Sequence, residues 1–145
     1  MAEIDPGRLN PLFVLLHRSL LQYVGECSPW TAEDSHQAET LAALRSVVAA
    51  QKRDETLLAD ALNAAGWIIN CGGYPTIYTD LQYLSLKYLL KQIVISQTAI
   101  VKALEDAAQS HPDSAVLPTV AAGERDVLKT VKALAAPQPL AVAAS

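Results

Sequence analysis

Apolar residues recur along this chain at intervals of three and four, the spacing that gathers them on one face of an α-helix. Leu12, Phe13, Leu16, Leu20, Tyr23 and Val24 form the first such series. Val14, Leu15 and Leu21 add a second apolar face, so the pattern predicts a helix buried on two sides. Asn10 before Pro11 reads as its start, because the asparagine oxygen can cap free amides and a proline at the first helical position loses no hydrogen bond. Gly25 and the Ser28-Pro29 pair end it.

A second helix opens between Thr31 and Ser35, where Thr31 and Asp34 make a capping pattern, and runs to about Ala65 with Gly66 as its stop. Its inner stripe is Leu41, Leu44, Val48, Leu58 and Leu62, interrupted by Gln51-Lys52-Arg53-Asp54-Glu55. Gln51 and Glu55 fall on the leucine side. Either the polar face drifts round the helix, as 3.6-residue turns precess against a heptad, or the middle of the domain holds a polar pocket.

The stretch from Gly66 to Tyr78 is too rich in turn residues for a helix and too apolar for a solvated linker. Extended, it spans about 43 Å, close to the roughly 45 Å of the third helix that follows. That helix opens at the capping box Thr79-Asp80-Leu81-Gln82 and runs to about Gln109. The second and third helices therefore need not form a hairpin, and the aromatic and isoleucine content of the connection predicts that it packs along the domain. Leu84, Leu86, Tyr88, Leu89, Leu90, Ile93, Val94, Ile95, Ile100, Val101 and Leu104 make the third helix apolar over much of its girth. Its polar stripe is narrow: Lys87, Lys91, Thr98, Lys102 and Glu105. After His111-Pro112-Asp113 a fourth, shorter helix reaches about Ala135 with Val127, Leu128, Val131 and Leu134 inward, and Gly123 weakens its middle. The reading is one all-α domain over residues 1–136 with an apolar, frayed tail over 137–145.

Composition narrows the function classes. With 145 residues, 51% hydrophobic and 18% charged, the chain can bury a core and is not disordered. A net charge of −4 argues against nucleic-acid binding, which needs a basic stripe. Ala61 to Thr79, the longest uncharged run, carries glycines, a proline and asparagines and does not read as a membrane span. The two cysteines, Cys27 and Cys71, make no disulfide framework or zinc spacing, and no leader pattern opens the chain, so a cytoplasmic protein is expected. Two helices this apolar exceed what one small core can hide, which predicts a homodimer through the apolar faces of the first and third helices.

The opening Leu9-Asn10-Pro11-Leu12 and the closing Gln22-Tyr23 of the first helix resemble the first helix of the ferritin-like superfamily, and of bacterioferritins in particular. Gly73-Tyr74-Pro75 is similar to the Gly-x-Pro that opens the family's long crossover. The resemblance implies a ferritin-like four-helix bundle with a long crossover between helices 2 and 3, and in active members a carboxylate-bridged di-iron centre. Such a centre takes a Glu from each of two helices and a Glu-x-x-His pair from each of the other two.

This chain departs from that pattern on every helix. The seat of the first-helix glutamate corresponds to Leu16, and the third helix has no acid between Asp80 and Glu105. The second-helix pair falls on Gln51 and Asp54 counted from the helix start, or on Leu57 and Asp60 counted back from Gly73, and neither includes a histidine. Glu124 and Asp126 on the fourth helix have no histidine beside them. No cofactor and no bound metal are therefore expected. Tyr23, which matches a tyrosine near the metals in relatives, is expected to donate its hydroxyl to the group of Gln51, Asp54 and Glu55.

Smaller constellations add alternatives. Glu33 and His36 form a Glu-x-x-His beside Glu26, which allows a peripheral metal site at the end of the bundle or a solvated first helical turn. His17 lacks the neighbours of a phosphoacceptor and is expected in a groove or interface, and the cysteines have no cationic partner to make a reactive thiolate. The sequence thus reads as a non-catalytic, metal-free ferritin-like bundle, a structural or interaction module. A redox or metal-binding stress protein and a carrier of an apolar ligand are the alternatives.

Overall fold

A computed structural model describes residues 5–26, 35–78 and 86–136, with the side chains of 35–37 left out. The described residues form five helices and no strand. They are α1 (Pro6–His17), α2 (Leu20–Glu26), α3 (Ser35–Ala64), α4 (Leu86–Ser110) and α5 (Val116–Ala135). The chain is all-α, as its periodicity predicts. The opening of the third predicted helix and the tail over 137–145 lie outside the described residues.

The first predicted helix is two. It starts at Pro6, not at Asn10, and Pro11 lies inside α1. Its missing N–H leaves a carbonyl one turn back without a partner, and Gly7 and Pro11 are both exposed there, so water can serve that carbonyl. The rod then breaks at Arg18 and Ser19. Ser19 Oγ accepts the Gln22 backbone N–H at 3.1 Å and so caps α2, and Ser19-Leu20-Leu21-Gln22 has the spacing of a capping box.

Gly66 ends α3, with φ of 73°. Its N–H reaches the Asn63 carbonyl at 3.0 Å and that of Trp67 reaches the Leu62 carbonyl at 3.0 Å, which closes the helix in a Schellman turn. At the start of α5, buried Ser114 accepts the Leu117 N–H at 3.3 Å.

The core falls into two apolar clusters. One joins Leu9, Leu12, Phe13 and Leu16 of α1 to Leu58 and Leu62, Ile100 and Leu104, and Leu117 and Val120. The other joins Leu20, Leu21, Tyr23 and Val24 of α2 to Leu44 and Val47, Leu86, Leu90 and Ile93, and Val127 and Val131. Each buried aliphatic side chain contributes about 1.5–3 kcal/mol.

Membership of the clusters gives the directions. The start of α1 and of α5 meets the ends of α3 and α4, so α3 and α4 run parallel and the chain must return the full length of the molecule between them.

That return runs along α1 and α2. Asn10, expected as a helix cap, is instead buried inside α1 and clamps the connection. Its Nδ2 donates to the Asn70 carbonyl at 2.9 Å, and its Oδ1 accepts the Asn70 N–H at 2.9 Å and Trp67 Nε1 at 3.2 Å. Farther on, Arg18 Nε faces the Cys71 and Gly72 carbonyls at 3.3 Å, and its guanidinium lies 4.7 Å over the Tyr74 ring. Tyr74 and Tyr78 then close on Tyr23, with centroids 5.1 and 5.4 Å away. The crossover is held by these polar and aromatic grips. Its isoleucines do less than expected: Ile69 packs on the core, but Ile68 is 92% and Ile77 65% exposed.

Candidate functional site: a buried polar layer

Between the two apolar clusters each rod turns one level of polar side chains inward. Ser19 and Gln22 come from α2 and its cap, Gln51 and Asp54 from α3, Gln97 from α4 and Glu124 from α5. The helical spacing explains the placement. Val47, Gln51, Asp54 and Leu58 follow one another at steps of four, three and four. Ile93, Gln97 and Ile100, like Val120, Glu124 and Val127, follow at four and three, and all but the polar residue belong to the clusters. Gln51 and Glu124 are fully buried, Gln97 is 1% and Asp54 8% exposed.

These groups bond to one another. Gln51 Oε1 accepts from Ser19 Oγ at 2.7 Å and from Gln22 Nε2 at 3.0 Å, and Gln22 Nε2 also reaches the Val48 carbonyl at 3.1 Å. Gln51 Nε2 donates to Gln97 Oε1 at 3.1 Å and to Glu124 Oε1 at 2.8 Å. Gln97 Nε2 donates to the same Glu124 oxygen at 2.6 Å. Burial, reinforced by hydrogen bonding and charge repulsion from Asp54, pushes Glu124 up to about 8, against the opposing pull of Gln51 and Gln97.

Asp54 reaches this acid because α5 has no side chain at Gly123. A Cβ there would lie 2.8 Å from the Asp54 carboxyl carbon and closer still to its oxygens. The glycine that weakens the sequence reading of this helix is the position that leaves room for the Asp54 carboxyl.

The layer spans the molecule from one groove to another. Asp54 and Gly123 line an open groove of about 380 Å³ between α3 and α5, with Ser46, Arg53, Asp126 and Thr130 around it. Ser19 lines a second groove of about 350 Å³ among α1, α4 and the crossover, with Val14, Arg18, Pro75 and Tyr78.

The polar interruption of α3 is therefore a mid-core layer and not a drifting surface face. Gln51 and Asp54 point inward, while Leu57 and Asp60 are exposed. Glu55 leaves the group and is hydrogen-bonded to His17 Nδ1 across the α1–α3 seam, with His17 stacked on Phe13 at 5.1 Å. Tyr23 sets its ring in the trio with Tyr74 and Tyr78, packed in the second apolar cluster. On the first rod the polar seat is Ser19 with Gln22. Leu16 lies in the adjoining apolar cluster, 0% exposed.

The expected peripheral group of Glu26, Glu33 and His36 cannot be traced as a set. Glu33 and the side chain of His36 lie outside the described residues, and Glu26 is exposed at the end of α2. Burial, with Glu26 close by, pushes the Tyr74 phenol up to about 12. Cys71 is exposed, and Cys27 lies outside the described residues.

The layer's donor set does not suit a pair of metal ions. It offers a single carboxyl pair, while its amides and hydroxyl are already committed to one another and imidazole is missing from it. Among the described residues no three His, Cys, Asp or Glu side chains gather as a metal group, and no helix is long and apolar enough to cross a membrane. No protein-family model, curated protein or solved structure matches this chain.

Proposed function

We propose that this chain is a ferritin-like four-helix bundle in which a hydrogen-bonded polar layer stands where relatives bind two irons, and that it acts as a non-catalytic, metal-free interaction module in the cytoplasm. The observation that carries the reading is the set of hydrogen bonds that ties Ser19, Gln51, Gln97 and Glu124 to one another at the level where all four rods meet. Opening those bonds to free ligands would leave several buried polar groups unpaired, each costing about 1–3 kcal/mol. The parallel run of α3 and α4, and the crossover laid on the first rod, support the family assignment. Leu15 on α1 and Tyr88 and Ile95 on α4 remain exposed and support a homodimer through those helices.

Metal analysis of the untagged protein, with titration of iron(II), manganese(II) and zinc(II) followed by calorimetry, tests the reading. The expected outcome is substoichiometric metal and no saturable binding at micromolar concentration. Two bound metals per chain overturn it. Light scattering is expected to give twice 15.5 kDa, and a monomer mass removes the dimer.

A further inference from the structure

One atom of the polar layer can be satisfied in only one way by its neighbours. Glu124 Oε1 accepts two donors, but Oε2 is buried with no donor against it. Glu124 is within hydrogen-bonding reach of the Asp54 carboxyl, which is an acceptor only when ionised. Two carboxylates side by side, one of them fully buried, repel, and a proton between them turns the repulsion into a hydrogen bond.

We propose that Asp54 and Glu124 share one proton, and that the resulting O–H···O bond is a pH-operated latch between α3 and α5. In the closed state the Glu124 carboxylic acid donates to the Asp54 carboxylate. On release the proton passes to hydroxide or water entering the groove, and two carboxylates remain. Asp54 is the movable half, because it lines the groove while Glu124 is fully buried and held by Gln51 and Gln97.

The surroundings leave the pair to itself. From α2 and its cap come Ser19 and Gln22, and from α4 comes Gln97, all uncharged. From α3 and α5 the charged neighbours are Arg53 and Asp126, which line the groove. Among the described residues neither carboxyl has a lysine, arginine or histidine within ion-pair distance.

The direction follows from linkage. Glu124 is raised to about 8 in the fold from an ordinary 4.5, so between these values the folded chain keeps a proton that the unfolded chain has shed. Stability is full below the lower value, declines as pH rises towards about 8, and levels off beyond.

Urea unfolding of the full chain from pH 5 to 9, with Glu124→Gln and Asp54→Asn beside the wild type, tests the latch. The wild-type midpoint is expected to fall through this range. Glu124→Gln keeps an oxygen for Gln51 and Gln97 and offers its NH2 to Asp54, so its midpoint is expected to stay flat. Asp54→Asn supplies a donor to Oε2 and removes the repelling charge, so the titration is expected to move to lower pH. Slopes equal to wild type in both variants overturn the proposal.

Infrared difference spectra of the wild type do not depend on the variants folding. A protonated-carboxyl band is expected at pH 7 and is expected to vanish by pH 9, and its absence at pH 7 also overturns the latch. Hydrogen exchange, corrected for its intrinsic pH dependence, is expected to rise first along α3 and α5. Uniform acceleration of all helices would show global loosening in place of a latch.

Discussion

Gly123 and Asp54 show how much one missing methyl group sets. An alanine at 123 improves intrinsic helix propensity by roughly 1 kcal/mol, yet its Cβ would overlap the Asp54 carboxyl. Overpacking of this kind costs about 1–3 kcal/mol, and here it also drives a carboxylate away from its proton-sharing partner. Gly123→Ala is therefore expected to lower the urea midpoint at pH 6 with an unchanged m-value, against the sign that propensity alone implies. Asn10 makes a similar point. One side-chain amide matches both backbone groups of Asn70, which is why an asparagine that looks like a cap from its neighbours is worth more inside the helix.

At the scale of elements, the layer binds the rods through a network, not through independent pairs. Gln51 alone touches Ser19, Gln22, Gln97 and Glu124. Gln51→Leu strands those partners and is expected to destabilise by about 3 kcal/mol or more. Gln51→Leu, Gln97→Leu and Glu124→Leu together remove most of the stranded groups at once, so the triple variant is expected to lose less than the sum of its singles in denaturation.

The ends of α3 and α4 and the start of α5 were legible because Gly66 and the His111-Pro112-Asp113 break act locally. The break at Ser19 was missed: the spacing Ser19-x-x-Gln22 marks it, but continuous apolar residues on both sides hide it. The inward turn of Gln97 and Glu124 was written in their steps of four and three from Ile93, Ile100, Val120 and Val127. A search for acids and histidines finds Glu124 but passes over Gln97, because a glutamine reads as surface until its neighbours on the same face are known to be buried. The route of the crossover over α1 was not legible, since the groups that fix it lie 60 residues apart in the chain.

Across the whole molecule, the layer couples the two apolar clusters. Neither half has a surface of its own at that level, because Gln51 and Glu124 bond in the plane between them. Unfolding is therefore expected to be one cooperative transition, with coincident curves from helical circular dichroism and tryptophan fluorescence and equal calorimetric and van't Hoff enthalpies. Two separate transitions would mean that the halves are independent.

The layer also indexes the rods along their length. Apolar clusters of leucine, isoleucine and valine tolerate a helix displaced by one turn, about 5.4 Å, because one aliphatic contact replaces another. The polar level does not: a slipped α4 would put Ile93 or Ile100 beside Gln51 and leave Glu124 facing hydrocarbon. Each rod thus carries a single notch, and the assembly clicks home only when all four notches stand at the same height.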